Sequence, residues 1–283
     1  MNAVQSAPGY VVSPRTNLDS ILWDMSQSNL IISDLSDTVG YSPAKAMAYS
    51  MLLRPSKLIS FSFWAWAIPC FMDLMIRGQE AEEPQWHRFR KEFLHGEELK
   101  RQVSWYQHHA GEVLYPGAST FYRHFSTTKK VFLSRDLQPV VDAYASILGF
   151  DHAIGECFDE KEGLCTILTE LHPSCDRVIF TGDALRDIRT LNELRSYQES
   201  GRIKTLVSIC VQKKANLTIG EHFDLIIGQD YSPLCQEIEK ASTYFPATTC
   251  HCPGPVKAKP LETVSGFPLF GLPYWKQQGR PSE

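Results

Sequence analysis

Residues 30–38 read LIISDLSDT: the large apolar residues Leu30, Ile31 and Ile32 run into Ser33 and then into a loop carrying Asp34, Ser36, Asp37 and Thr38. A short unbroken apolar run stopped by polar residues is the pattern of a strand buried on both faces. It recurs along the chain. Val131-Phe132-Leu133 precedes Ser134, and Val178-Ile179-Phe180 precedes Gly182 and Asp183. Thr205 to Val211 and Phe223 to Ile227 follow the same pattern, with helical stretches at 137–148 and 184–199 between the runs. Continuous apolar strands alternating with helices predict an α/β chain, a Rossmann-like parallel sheet flanked by helices. Ligands of such sheets sit off the carboxyl ends of the strands, which is where Asp34, Ser134 and Asp183 fall.

Outward from these runs the rhythm changes. Residues 42–114 carry no clear strand pair and read as mostly helical and aromatic, with Phe61, Phe63, Trp64, Trp66, Phe71, Trp86, Phe89, Phe93, Trp105 and Tyr106. Set between the first and second strand runs, they predict an inserted α-helical cap, and the turn Tyr115-Pro116-Gly117 marks the return. The core is then 28–41 with 115–245, preceded by an N-terminal extension, 1–27. From Pro246 prolines recur without period, so 246–283 reads as an irregular Pro-rich tail.

Within the insertion, Leu58 to Ile76 approaches the length of a membrane span. Pro69, Asp73 and the flanking Lys57 and Arg77 favour a buried or interfacial helix instead, so membrane association is not favoured. The chain has 283 residues, and its formal charge of -4 argues against nucleic acid as a partner, since phosphate backbones demand a basic surface. Its eight cysteines are scattered, unlike those of a short secreted disulfide scaffold. Residues 1–20 lack an apolar run behind a positive start, and a reducing, cytoplasmic setting is expected.

Three polar loops, each following an apolar run, supply what phosphoryl chemistry requires. A carboxylate at a strand end, Asp34, can attack phosphorus and form a covalent intermediate. In the third loop Gly182 permits a sharp turn, and Asp183 can meet Asp34 over one Mg²⁺, a hard cation that prefers oxygen ligands. Asp187, four residues on, can bind a metal-bound water or orient Asp183. The Ser134 hydroxyl, nearby backbone N–H groups and the positive end of the following helix can hold phosphate oxygens.

At these residues the chain resembles the haloacid-dehalogenase-like superfamily, whose signature runs Asp-x-Asp-x-Thr, then Ser or Thr, then Lys, then Gly-Asp-x-x-x-Asp. The likeness covers roughly residues 28–235. The insertion directly after the first motif, and the stretch from Leu114 through Phe132-Leu-Ser-Arg135 to Phe150, are similar to the phosphoserine-phosphatase-like branch. The resemblance implies Asp34 as nucleophile and metal ligand, with the Ser36 carbonyl a second ligand and Asp183 and Asp187 completing a Mg²⁺ site. It implies Ser134 and Ser36 as phosphate-binding residues. It also requires a lysine that neutralises phosphate and nucleophile. Lys161, 22 positions before Asp183, is the candidate for that catalytic and phosphate-binding role.

One position departs from the pattern. The family's second Asp, a general acid/base, is here Ser36, and serine has no useful acidity near neutral pH. The expectation is therefore a Mg²⁺-dependent phosphatase acting on a small phosphorylated substrate. Hydrolysis of a carbon–halogen or carbon–phosphorus bond, or phosphate binding without turnover, are the alternatives. The aromatic segment 58–76 admits a substrate with an apolar portion, if it forms a lid. His87, His95, His108 and His109 lack converging metal-ligand spacing, and Cys250-His251-Cys252 lacks the second pair of a structural zinc site.

Overall fold

The computed structural model describes residues 6–7, 9–13, 16–43, 64–65, 68–69, 72, 96–183, 187–212 and 221–244. The chain divides into two compact units, 1–249 and 250–283, and every described residue belongs to the first.

The described elements begin with β1 (Ser6–Ala7), β2 (Tyr10–Val12), α1 (Leu18–Ser26) and β3 (Leu30–Ser33). After the insertion come α2 (Gly96–Val113), α3 (Ala118–His124), β4 (Lys129–Leu133) and α4 (Gln138–Leu148). Next are β5 (His152–Ile154), α5 (Glu160–Cys165), which runs on as a wider π turn over Thr166–Leu171, and β6 (Arg177–Gly182). Then follow α6 (Asp187–Glu199), β7 (Thr205–Val211), β8 (Leu225–Ile227) and α7 (Ser232–Tyr244).

These strands form one eight-stranded sheet in the order β1-β2-β8-β7-β6-β3-β4-β5. From β8 to β5 every pairing is parallel, and β2 joins β8 antiparallel. The chain leaves β3 toward β4 and β5, then crosses back to lay β6 on the other side of β3. That reversal makes the carboxyl end of β3 the switch point of the sheet, where a ligand crevice opens. Register sharpens it: Ser33 pairs with Phe132 on one side and Thr181 on the other. Asp34, Ser134 and Asp183 therefore emerge from three adjacent strands at nearly the same height.

Side chains alternate along each strand, so each strand feeds two cores. Ile31 and Phe132 pack under α1, α3, α4 and α7, while Leu30, Ile32, Val131 and Leu133 pack against α5 and α6. Leu30, Ile31, Ile32, Val131 and Phe132 have no exposed surface, and burying such side chains stabilises the fold by about 1.5–3 kcal/mol each. Phe132 stacks on Phe150 with centroids 3.7 Å apart.

The predicted parallel strands and the helix at 137–148 match these elements closely, and α6 covers the described part, 187–199, of the helix expected at 184–199. The stretch 1–27 contributes more than an extension implies. Tyr10–Val12 extends the sheet, and α1, capped by Asn17 Oδ1 accepting from Ser20 N at 2.7 Å, buries Ile21, Leu22 and Met25. From the insertion, α2 packs on α4, with Tyr106 6.1 Å from Tyr144 and donating to Pro43 O at 3.0 Å. Of 58–76 only Trp64, Ala65, Ile68, Pro69 and Met72 are described. All are helical, and Trp64, Ile68 and Met72 are exposed. The rest of that stretch, His87, His95 and the tail with Cys250 and Cys252 lie outside the described residues. Among the described residues no helix is long and apolar enough to cross a membrane.

Candidate active site

Asp34 is held from below. Its N–H donates to Thr181 O at 2.9 Å, tying the strand end to β6. Ser33 Oγ donates to Asp34 O at 2.7 Å and accepts from Thr181 Oγ1 at 2.7 Å, with Tyr122 OH 2.8 Å away. Burial raises the Tyr122 pKa, so the phenol stays neutral inside this hydroxyl cluster. Beyond Asp34 the chain turns tightly. Asp37 adopts φ 59°, uncommon for a non-glycine residue, and its N–H donates to Gly40 O at 2.9 Å. Thr38, fully buried, directs Oγ1 to Asp34 Oδ2 at 3.4 Å.

The third loop brings two more carboxylates. Asp187 opens α6, and its Oδ2 accepts from Asp183 N at 2.7 Å, so it fixes the backbone that carries Asp183. This contact needs Gly182: a Cβ there would lie 2.7 Å from both Cβ and Cγ of Asp187. Asp34, Asp183 and Asp187 each offer an oxygen, all within 4.8 Å of one another. Ligands of an octahedral Mg²⁺, each roughly 2.1 Å from the ion, lie about 3 to 4 Å apart, so this oxygen-only set fits such a cation. The acids are felt next door: Cys210 on β7 is pushed up to about 12, by burial first and then by Asp183 and Asp187.

On the other side of Asp34, Ser134 is fixed by its N–H donating to Ile154 O at 2.9 Å. Its hydroxyl donates to Asp136 Oδ2 at 3.2 Å. The same Asp136 oxygen accepts from Ser36 Oγ at 2.5 Å, and Ser42 Oγ lies 3.3 Å from Ser36 Oγ. Asp136 is 4% exposed, so a buried carboxylate joins the first and second loops. The sequence reading gave it no role. The run Ser134-Arg135-Asp136 directly after the apolar run Val131-Phe132-Leu133 was the available signal.

A small, partly open cleft lies over this floor, lined by Asp34, Ser134 and Asp187 and, on one flank, by Arg135, Cys157 and Glu160. The Arg135 guanidinium pairs with Glu160. Burial first, then Glu160 and Asp159, push the Cys157 thiol up to about 11, which disfavours its thiolate near neutral pH. Lys161 is placed elsewhere: its side chain is 76% exposed and its Nζ lies 3.6 Å from Glu193. Asp159 caps α5 by accepting from the N–H groups of Lys161 and Glu162 at 3.0 and 3.2 Å. With the first turn so fixed, Glu160 lines the cleft. His108 and His109 contact backbone carbonyls of their own helix through Nδ1. Among the described residues the acidic trio is the one cluster suited to a metal.

No protein-family model and no curated protein matches the chain. Among solved structures it is similar to a substrate-bound phosphoserine phosphatase, at 14% identity and a TM-score of 0.50 over 75% of this chain and 98% of that one. A phospho-aspartyl intermediate analogue of phosphoserine phosphatase aligns at 15% identity and TM-score 0.49, over 74% of this chain and 98% of that one. A haloacid dehalogenase-like hydrolase from Burkholderia xenovorans LB400 aligns at 13% and 0.47, over 75% and 97%. Identities this low speak to backbone architecture alone. The architecture shared with the first of these, over nearly that chain's whole length, is the haloacid-dehalogenase-like fold, and this chain has it.

Proposed function

We propose that this chain hydrolyses phosphate monoesters through a covalent aspartyl-phosphate on Asp34. The observation that carries the reading is the buried Asp34 at the switch point, with Ser134 on one side and Asp183 and Asp187 on the other. A solved phosphatase with the same fold lends support.

In the first step an Asp34 carboxylate oxygen attacks phosphorus and the bond to the ester oxygen breaks, so the leaving group departs with the electron pair and takes up a proton. In the second, water attacks phosphorus of the acyl phosphate, releasing phosphate and restoring Asp34. Ser134 lines the cleft, and its hydroxyl, turned from Asp136, would donate to a phosphate oxygen. Asp34, Asp183 and Asp187 would hold Mg²⁺, with the Ser36 carbonyl as a further ligand. The ion supplies positive charge that lets a phosphate approach these carboxylates.

Ser36 shapes the substrate class. Where a proton donor to the leaving oxygen would stand there is a hydroxyl already bound to Asp136 at 2.5 Å. Without such a donor roughly 10² to 10⁴ in rate is lost, and the loss is smallest for leaving groups that need no proton. Aryl phosphates are therefore the preferred esters, and alkyl phosphates are poor ones. The same feature favours a second reading, phosphate binding without turnover. A panel of monoesters spanning leaving-group acidity, assayed with and without Mg²⁺, separates the two. Turnover that needs Mg²⁺, falls steeply as the leaving group becomes more basic, and drops about 10³-fold or more in Asp34→Asn supports the phosphatase. No turnover of any ester, with phosphate bound, supports the second.

A further inference from the structure

A phosphate dianion entering this cleft meets the carboxylates of Asp34 and Asp187, and like charges oppose it. One divalent cation offsets part of that repulsion, and a fixed positive side chain at the cleft would offset more. Among the described residues that line the cleft Arg135 is the cation, whereas the family resemblance points to Lys161, and the structure separates the two. Arg135 directly follows Ser134, and its side chain lines the cleft with Asp34 and Ser134 while only 26% exposed. Lys161 is 76% exposed and faces Glu193 on α6. The separation has a local cause. Consecutive residues of a helix point about 100° apart, so once the Asp159 cap sets the first turn with Glu160 at the cleft, Lys161 is carried away from it.

We propose that Arg135 is the fixed cation that binds the phosphoryl group, that Glu160 aims it, and that Lys161 takes no part in phosphate binding. A guanidinium presents five N–H donors in a rigid fork, so it can keep its ion pair with Glu160 while other N–H groups reach phosphate oxygens. Glu160 holds Arg135 at the flank of the cleft, and the flexible Arg135 side chain loses less freedom when phosphate arrives. This assignment rests on the phosphoryl-transfer reading of the same cleft, and its test is therefore a binding measurement that needs no turnover.

The test is calorimetric titration of inorganic phosphate, with Mg²⁺ present, into the full-length wild type, Arg135→Ala and Lys161→Ala. Arg135→Ala is expected to weaken phosphate binding about 10- to 100-fold, as loss of a charged hydrogen-bonding partner does, and Lys161→Ala to bind as the wild type does. If Arg135→Ala fails to fold because Glu160 is left unpaired, the double variant Arg135→Met/Glu160→Gln removes both charges and should show the same loss. Wild-type affinity in a folded Arg135 variant, an equal loss in Lys161→Ala, or a wild type that binds no phosphate overturns the assignment. The two claims fail separately. Arg135-dependent phosphate binding without ester hydrolysis keeps this inference and removes the phosphatase. Ester hydrolysis with phosphate affinity indifferent to Arg135 does the reverse.

Discussion

Between Ser36 and Asp136 runs a 2.5 Å hydrogen bond, buried on both sides, and Ser134 donates to the same carboxylate oxygen. A hydroxyl at position 36 is thus a partner that Asp136 can accept from. A carboxylate there would not be, since two acidic side chains at that distance cannot both ionise without strong repulsion. Ser36→Asp alone is accordingly expected to lower thermal stability at pH 7, less so at pH 5 where the pair can share a proton, and to raise turnover of alkyl phosphates little. Exchanging the two groups, Ser36→Asp with Asp136→Ser, restores one donor and one acceptor across the contact. That double variant should hydrolyse alkyl phosphates faster than either the wild type or the single variant, by roughly tenfold or more. Melting curves at the two pH values and initial rates on an alkyl phosphate check both expectations. At this scale Asp34, Ser134, Asp183 and Asp187 were legible in the sequence because each ends an apolar run or belongs to a spaced acidic pair. Asp136 and Arg135 were not, because the contacts that place them beside the cleft come from Ser36 and Glu160, well removed along the chain.

Elements carry the next level of constraint. The turn from β6 into α6 works only because residue 182 has no Cβ. Gly182→Ala would place that atom 2.7 Å from Asp187 Cβ and Cγ, so the Asp187 carboxylate must leave Asp183 N. The variant is expected to lose about 1–3 kcal/mol of stability through overpacking and to need at least about tenfold more Mg²⁺ for half-maximal activity. Denaturant melts and a Mg²⁺ titration of initial rates measure the two effects. Strands β3, β4, β6 and β7 announce themselves through the apolar runs at their centres, which burial on both faces requires. The three-residue strands β2 and β5 do not. Tyr10–Val12 and His152–Ile154 are too short to show a period, and become strands only because an exposed sheet edge supplies partners. Lys161 shows the same limit: its position relative to Asp183 along the chain says nothing about the direction that the Asp159 cap imposes.

Over the whole molecule, the sheet order is what converts three separate loops into one site. β6 must cross under the molecule to lie beside β3, and only that non-local pairing sets Asp183 within reach of Asp34. Parallel α/β architecture was readable from the alternation of elements, whereas the order of strands was not, since no local property of β6 says which edge it joins. Because Asp34, Asp183 and Asp187 come from two strand ends and a helix start, a cation held by all three would stabilise the folded chain as a whole. At about 100 times its Kd, Mg²⁺ should add about 2.7 kcal/mol, raising Tm by roughly 5 to 10 °C over protein in chelator. Asp183→Asn should remove most of that shift, as differential scanning fluorimetry will show. The most direct measurement concerns Asp34 itself: brief incubation of the protein with an aryl phosphate and Mg²⁺, acid quench, and peptide mapping for the phosphoryl group. The account predicts a phosphorylated peptide carrying Asp34, absent from Asp34→Asn. Ester hydrolysis that leaves Asp34 unmodified at every quench time and persists in Asp34→Asn would contradict it.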